Sequence, residues 1–366
     1  MGFLRRGKFR RLAHFLLLAV SLLTANILSV TLAETLFLSN AGSERMPMYY
    51  LLLAVISMPM AAGTASLVDR YSRPQLLRAL LLVSAGLAIG LRLLLPTGTM
   101  AVYYAVYICF SLFELLIDIV FWVLISDFFT SLDLKRYATY LIMAMSAGGL
   151  LGGGLASLLP GFLAVQNILL VLPALYALAV VQLFLLDRDQ KELGESDPDE
   201  EESLIESLKS FPQLVRQYPT AIFLAAGTVV AVVLRCLGEF QVFTVYSARF
   251  PEEQQLASFL GKLGAGFSAL EFLVTYFLSR PLIQWLGVGR VNVVYPATTL
   301  TCFTGLAFSF SLPMAVAVNL NYDTLQNGLA QPVETLNYNA IPHRFVGRVR
   351  VIAEGLLYPA GMRYAA

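Results

Sequence analysis

Ionisable side chains lie deep inside several of the longest apolar runs of this sequence. Two acids occur on the fourth run, an arginine and an acid on the seventh, and an acid among asparagines on the tenth. These residues are Glu114 and Asp118, Arg235 and Glu239, and Asp323 with Asn319, Asn321 and Asn327. A charge at mid-bilayer costs several kcal/mol by insertion scales, so it persists where it faces a protein interior or a water-filled cavity. The recurrence on every third run, starting with Glu34 on the first, predicts four helices around one cavity.

The spacing of these charges indicates what they can do. Glu114 and Asp118 are four residues apart, so both carboxylates project from one helix face, which suits proton coupling or a counter-charge for an organic cation. The alternative is a structural pair satisfied by Arg235 across the cavity. Arg235 and Glu239 are also one turn apart, and an internal ion pair is the alternative to a binding role. The predicted solute or ion cavity comprises Glu114, Asp118, Arg235, Glu239, Asn319 and Asp323.

The composition is that of a membrane protein. Hydrophobic residues make up 58% of the chain, charged residues 13%, and the mean hydropathy is +0.71. Since a bilayer crossing needs roughly 20 apolar helical residues, we predict spans at 12–38, 46–67, 75–95, 102–127, 137–159, 167–186, 220–247, 257–279, 290–311, 313–335 and 351–366. The net charge of +1 gives no basic surface for nucleic acid. His14 and His343 lie far apart, so we expect no metal site.

An acidic stretch divides the chain. Residues 190–219 carry a block of like charge, which favours a solvated cytoplasmic linker. It separates a predicted N-terminal six-helix half, residues 1–189, from a C-terminal half, residues 220–366, that we expect to be incomplete at about five helices. The predicted fold is therefore all-α, a polytopic membrane protein built as a two-half helical bundle with about eleven of twelve helices present.

Lysine and arginine are concentrated in alternate loops. Placing the N-terminus in the cytoplasm puts nearly all of these loops on the cytoplasmic side and leaves little more than Arg45 and Arg249 outside. Because short cytoplasmic loops carry an excess of lysine and arginine, the sequence predicts a multi-pass protein with a cytoplasmic N-terminus.

The loop after the second run carries a charged motif. Residues 65–74 read Ala-Ser-Leu-Val-Asp-Arg-Tyr-Ser-Arg-Pro, which resembles the signature Gly-x-x-x-Asp-Arg-x-Gly-Arg of the major facilitator superfamily. Residues 279–290, between the eighth and ninth runs, form the corresponding loop of the second half, and repeated halves are typical of such transporters. The alternative is an ordinary charged turn that follows the positive-inside rule. The resemblance implies a cytoplasmic gate of Asp69, Arg70, Arg73, Lys135, Arg136, Arg280 and Arg290.

Two further stretches resemble the ATP/ADP carrier (nucleotide transporter) family and its bacterial relatives. Residues 121–130, followed by Lys135-Arg136-Tyr137, resemble the region from that family's fourth helix to its fifth. Residues 331–342 are similar to its Asp-Pro-x-x-Glu-x-x-Tyr-x-Pro region, with Gln331 in place of the aspartate and Gln326 nearest to the family's preceding lysine. The resemblance implies a major facilitator architecture in a bacterial inner (plasma) membrane. The acidic cavity matches the charges of nucleotide phosphates poorly.

Paired glycines mark the fifth run. Gly148 with Gly152, and Gly149 with Gly153, are one helical turn apart, which predicts close packing against neighbouring helices. The alternative is a phosphate-binding loop, which requires a strand and a Lys-Ser/Thr pair.

These features predict a secondary active transporter that moves a small polar or charged solute by alternating access, coupled to protons or working by exchange. We expect no enzyme activity and no cofactor, because the sequence contains no recognisable set of catalytic groups. The expected partners are a small-molecule solute, the lipid bilayer and, if transport is proton-coupled, protons; nucleic acid is not expected. The alternatives are a transport-inactive scaffold or sensor attached to a cytoplasmic regulatory module, or a lipid translocator.

Overall fold

The chain is helical almost throughout the residues that the structure describes. The computed structural model describes residues 2–129, 131–189 and 220–337, together with Met362. The helices are α1 (Gly2–Asn40), α2 (Met46–Arg70), α3 (Arg73–Leu94), α4 (Met100–Phe128), α5 (Ser131–Leu158), α6 (Val165–Ile168), α7 (Leu172–Asp189), α8 (Thr220–Arg249), α9 (Glu253–Leu273), α10 (Arg280–Leu286), α11 (Val288–Phe308), α12 (Leu312–Leu320) and α13 (Gln331–Asn337). Two π-helical segments, Val274–Ser279 and Asn321–Ala330, join α9 to α10 and α12 to α13. No strand occurs in these ranges.

Eight helical stretches within the described ranges are long and apolar enough to cross a membrane. They are Arg10–Asn40, Arg73–Thr97, Met100–Phe128, Tyr140–Gly161, Val165–Leu186, Ile222–Arg249, Glu253–Leu286 and Val288–Phe308. Each coincides with one of the predicted spans. The predicted span 46–67 lies within α2, and 313–335 runs from α12 into α13. The acidic linker and the predicted span 351–366 fall outside the described residues, apart from Met362. The all-α, polytopic prediction is confirmed.

Proline and glycine set several helix ends. Ser72 is extended just before α3, and Pro74 lies in the first turn, where its missing N–H group costs no hydrogen bond. Gly98 ends the short 3₁₀ extension of α3 with a φ of 63°, a left-handed conformation that favours glycine. Gly287, which follows α10, also has a positive φ, 75°, but an extended ψ of 157°. These tight turns let one long helix follow another with few intervening residues.

The chain forms two compact units. Unit 1 consists of Met1–Gly42, Gly63–Ser196 and Phe250–Phe272, and unit 2 of Ser43–Ala62, Asp197–Arg249 and Leu273–Ala366. Most of α2 therefore belongs with the second half of the sequence, and α9 belongs with the first. The division of the sequence into 1–189, 190–219 and 220–366 stays a prediction.

In unit 1, α1 is the central helix and packs against α4, α5 and α7. Phe15 near its start contacts Phe128 with 5.3 Å between ring centroids. Phe37 near its end contacts Tyr104 at 5.1 Å and Tyr107 at 5.3 Å. Both phenylalanines are completely buried. These two contacts show that α1 and α4 run antiparallel, and they fix the register between the two helices.

The glycines of α5 allow close packing on two of its faces. A Cβ atom on Gly148 would lie 2.6 Å from the carbonyl oxygen of Val20, and one on Gly152 would lie 2.7 Å from that of Thr24. On the other face, side chains at Gly149 and Gly153 would collide with α9. The predicted packing role of these glycines is confirmed, since any larger residue would push α1 or α9 away.

In unit 2, α8 packs against α12, and α11 packs against α12 and the π-helical segment Asn321–Ala330. The two π-helical segments also contact each other, and the buried Ser279 hydroxyl donates a hydrogen bond to the carbonyl oxygen of Gly328. A Cβ atom on Gly328 would lie 2.9 Å from Val274 Cγ1. Short π-helical stretches are frequent at functional sites, and the segment Asn321–Ala330 contains Asp323.

Candidate functional site

Arg235 and Glu239 form an ion pair along one face of α8. The Arg235 Nε atom donates a hydrogen bond to Glu239 Oε1 at 3.0 Å. The internal pair that the sequence offered as one alternative is therefore present. The Arg235 side chain remains 32% exposed and the Glu239 side chain 17% exposed. Both therefore keep an open side that a ligand can reach.

The tenth predicted span brings Asp323 and Asn319 to this pair. Asp323 Oδ1 lies 3.9 Å from Arg235 Nη2, and Asn319 Nδ2 donates to Asp323 Oδ2 at 2.8 Å. The buried Tyr246 hydroxyl donates to Asn319 Oδ1 at 3.1 Å. Four of the six predicted cavity residues therefore form one connected group within unit 2.

Tyrosines that the sequence analysis did not identify complete this group. The Tyr50 hydroxyl, on the part of α2 that belongs to unit 2, donates to Glu239 Oε2 at 3.1 Å. The Arg235 guanidinium lies 5.8 Å from the centre of the Tyr322 ring, within range of a cation–π contact. Polar hydroxyls within apolar runs were the only available signal. We call Arg235, Glu239, Asn319 and Asp323, with Tyr50, Tyr246 and Tyr322, the Arg235 cluster.

The charges of the Arg235 cluster do not cancel. It holds one guanidinium and two carboxylates, so its net charge is −1 when both acids are ionised. Every acidic oxygen named above already accepts from a neutral donor or faces the arginine. An arrangement of this kind can take up a proton or attract a positively charged group.

A second polar layer lies between α11 and the π-helical segment Asn321–Ala330. Asn321 Nδ2 donates to Thr299 Oγ1 at 2.8 Å, and the Tyr295 hydroxyl donates to Gln326 Oε1 at 3.1 Å. Asn327 is exposed. The amides of the tenth span therefore pair with polar groups of α11 on one side, while Asn319 and Asp323 serve the Arg235 cluster.

The two acids of α4 have different surroundings in unit 1. Asp118 is hydrogen-bonded to the side chain of Trp122, one turn further on. Glu114 lies within electrostatic range of Tyr176, whose hydroxyl is hydrogen-bonded to Ser29. Both acids are only partly buried. They belong to unit 1 and the Arg235 cluster to unit 2, so their convergence on one cavity stays a prediction.

Of the predicted gate, the structure describes the side chains of Arg73 and Arg290. Arg73 Nε lies 3.5 Å from Asp127 Oδ2 at the end of α4. Asp127 was not among the predicted gate residues, although it lies in the stretch 121–130 that resembles the carrier family. Arg290 is exposed at the start of α11. The side chains of Asp69, Arg70, Lys135, Arg136 and Arg280 fall outside the described set.

Within the described residues, no three His, Cys, Asp or Glu side chains are grouped so as to hold a metal ion. Unit 2 also has an open groove of about 470 Å³. Its lining residues are Gln241, Phe303, Thr304, Leu306, Ala307 and Phe310. The groove is mainly apolar and is lined by no member of the Arg235 cluster.

Comparisons with known proteins identify the fold. No protein-family model matches the chain, and no curated protein sequence matches it. Among solved structures, the chain is similar to the nucleoside transporter NupG, with a TM-score of 0.65 and 12% identity over 95% of this chain and 89% of that one. It is also similar to a bacterial homolog of the human lysosomal transporter Spinster, crystallised inward-facing and unoccupied. That match has a TM-score of 0.58 and 16% identity over 98% of this chain and 81% of the homolog.

At such low identity the similarity concerns the fold. Both solved structures are transporters by name and share the all-helical fold of this chain, so the predicted fold class is confirmed. The closer relation to ATP/ADP carriers stays a prediction.

Proposed function

We propose that this chain is a secondary active transporter that moves a small polar or charged solute across a membrane by alternating access. The observation that carries the proposal is the Arg235 cluster, whose ion pair lies on a membrane-spanning helix and keeps open sides. The fold supports the proposal, since the similar solved structures are transporters.

The exposure of the cluster favours binding over a purely structural role. A charged group within the membrane is costly unless it is paired or faces water. A sealed structural pair would leave no side open, whereas the Asp323 side chain remains 36% exposed. The net charge of −1 then favours a proton or a positive group as the visitor. Polyphosphate solutes are disfavoured, because phosphate binding calls for an excess of Arg or Lys.

The finer features of the transporter belong to the same proposal. We place the protein in a bacterial inner membrane with its N-terminus in the cytoplasm, and we assign transport to two halves that rock about a central site. The acids Glu114 and Asp118 face that site from α4, and one of them carries the coupling proton. The Arg73–Asp127 ion pair in unit 1 belongs to the cytoplasmic gate, together with Asp69. No covalent reaction on the solute is involved.

Uptake into proteoliposomes from a mixture of solutes tests the proposal for many classes of compound at once. Vesicles containing the protein are incubated with a defined mixture of amino acids, amines, nucleosides and small organic acids, with and without an inward proton gradient. Mass spectrometry then identifies what has accumulated. We expect at least one compound to exceed its level in empty vesicles and to fall to that level with Arg235→Leu.

The control variant is Arg92→Gln, which changes an arginine outside the Arg235 cluster that donates to Asn167 Oδ1 in unit 1. It should transport like the wild type. Uptake that is identical for wild type, Arg235→Leu and empty vesicles, for every compound and both gradients, contradicts the proposal.

A further inference from the structure

Asn26, on the central helix of unit 1, has a buried amide oxygen without a hydrogen-bond partner among the described residues. The residue is 3% exposed, and its Oδ1 atom finds no donor among the residues that the structure describes. Neighbouring polar residues of α1 are satisfied: the Thr24 hydroxyl donates to Val20 O, and the Ser29 hydroxyl donates to Asn26 O. A buried polar group without a partner costs about 1–3 kcal/mol. Asn26 is therefore a residue to explain.

The register of α1 on α4 shows which side chains Asn26 faces. Phe15 contacts Phe128 at one end of the helix pair, and Phe37 contacts Tyr104 and Tyr107 at the other. Asn26 lies midway between the two phenylalanines and, at about 100° per residue, on nearly the same side of α1. The matching midpoint on α4 is about residue 117. Asn26 therefore lies on the α4 face, level with Asp118.

Glu114 and Asp118 lie on the side of α4 that faces α1. At about 100° per residue Asp118 falls between Tyr107 and Tyr104, the two residues that touch Phe37, and Glu114 falls about 20° to the other side of Tyr107. The contacts around Glu114 lead to the same interface, since its neighbour Tyr176 is hydrogen-bonded to Ser29, three residues after Asn26. The antiparallel packing of α1 and α4 therefore places the Asn26 amide oxygen and the two carboxylates at the same height along the helix pair.

The polar groups at this height of the helix pair are all hydrogen-bond acceptors or acids. Two carboxylates and an amide oxygen are all hydrogen-bond acceptors, and together they attract a donor that bears positive charge. Trp122, one turn beyond Asp118, is 37% exposed, and an indole ring is the best aromatic partner for a cation. Acid, amide oxygen and indole together are suited to an ammonium group.

We propose that Asn26, Glu114, Asp118 and Trp122 form a cation half-site between α1 and α4, which binds an ammonium group of the transported solute. The half-site deepens the proposed function, because it assigns a substrate class, an organic cation, to the N-terminal part of the same pathway. The same acidic and amide oxygens could also bind a monovalent metal ion such as Na⁺, and the experiment below separates an ammonium group from such an ion.

Charge-selective thiol modification tests the half-site directly. Asn26→Cys is made in a protein whose Cys109, Cys236 and Cys302 are replaced by serine. The membrane-embedded protein is treated with ethylammonium methanethiosulfonate or with its anionic ethylsulfonate counterpart. Clefts of one charge sign raise the local concentration of the opposite ion by about 10-fold or more. We therefore expect the ratio of the cationic to the anionic modification rate to be about tenfold higher at position 26 than for a free thiol in solution. The double substitution Asp118→Asn with Glu114→Gln should return this ratio to the free-thiol value.

Competition identifies the occupant. Ethylammonium chloride, NaCl and KCl at equal concentration screen charge equally, so a difference between them reports binding. We expect ethylammonium to slow the modification at least threefold more than either salt. Equal protection by NaCl and ethylammonium overturns the assignment to an ammonium group.

The control is Thr35→Cys, which replaces a fully buried α1 residue whose hydroxyl donates to Thr31 O; its thiol should stay unmodified. A thiol at position 26 that does not react, or that reacts without charge preference, overturns the proposal. Modification of Glu114→Cys in the same experiment would then show that the transport pathway stands and that only the role of Asn26 fails.

A second measurement, of thermal stability, uses the wild-type protein and so does not depend on whether a variant at Asn26 folds. Ethylammonium should raise the Tm of the wild-type protein above its value in NaCl of equal concentration. The absence of any such difference also counts against the half-site.

Discussion

Asp323 and Asp118 are two aspartates within predicted membrane spans, one in each unit, and they are satisfied in different ways. Asp323 faces Arg235 at 3.9 Å and accepts a hydrogen bond from Asn319. Asp118 is hydrogen-bonded to the neutral Trp122 side chain, and the described residues place no cation within ion-pair distance of it. The first aspartate belongs to a built ionic network, and the second has a neutral neighbour only.

The difference suggests a division of labour. A network of one arginine, two acids and several tyrosines holds its members in place, so the Arg235 cluster supplies a fixed field. An acid with only a neutral partner gains more from a visiting positive charge, because nothing in its surroundings already supplies one. The Arg235 cluster in unit 2 is therefore the fixed set of charges, and Asp118 in unit 1 is the acid that we propose to exchange its positive partner.

Removing the arginine should have the largest effect on stability. Arg235→Leu leaves Glu239 and Asp323 without their countercharge, and breaking a buried pair on one side costs about 3–5 kcal/mol. Because the arginine is about one-third exposed, we expect a smaller cost than for a fully buried pair, about 2–3 kcal/mol, seen as a reduced Tm in detergent. Asp118→Asn, which leaves no ion pair broken, should change Tm little. Equal losses of stability for both variants would remove the distinction between the two regions.

The tyrosine on α2 tests whether the Arg235 cluster extends beyond its ionic members. Tyr50→Phe removes the hydroxyl that donates to Glu239, and a hydrogen bond to a charged group contributes about 1.5–3 kcal/mol. We expect a loss of about 1.5 kcal/mol, measured as Tm, and impaired uptake. Tyr103→Phe, at another buried tyrosine, serves as the matched control. An unchanged Tm for Tyr50→Phe would show that Tyr50 is only a neighbour of the Arg235 cluster.

The sequence predicted most of the helices and the charged and amide members of the Arg235 cluster, but it left their pairing open and missed the tyrosines. Spacing alone joined Arg235 to Glu239, since residues four apart share a helix face. Tyr50 was missed because its contact spans 189 residues of chain, and no local pattern encodes such a distance. The π-helical turn that carries Asp323 was missed as well, since residue spacing on an assumed α-helix does not predict a widened backbone.

The ion pair at the end of α4 should matter least for stability. Asp127 is only 9% exposed, but Arg73 is 30% exposed and stays within reach of water when its partner is neutralised, so we expect Asp127→Asn to cost only about 1 kcal/mol, near the upper end for exposed pairs. If the pair closes a cytoplasmic gate, the same variant should still raise the accessibility of cysteines on the cytoplasmic side to impermeant reagents. Asp69→Asn should act in the same direction. Unaltered accessibility in both variants would assign these residues to an ordinary charged turn.

The comparison of solute exchange with gradient-driven accumulation tests the central claim most directly. Proteoliposomes carrying Asp118→Asn are measured beside the wild type, first for exchange of labelled solute at equal pH and then for uptake against a concentration gradient driven by protons. The account predicts that the variant retains part of its exchange, because Asn26, Glu114 and Trp122 of the half-site remain, and loses accumulation, since exchange does not require the coupling proton to leave. Loss of both activities in a well-folded variant, or retention of both, would contradict the assignment of the exchangeable charge to unit 1.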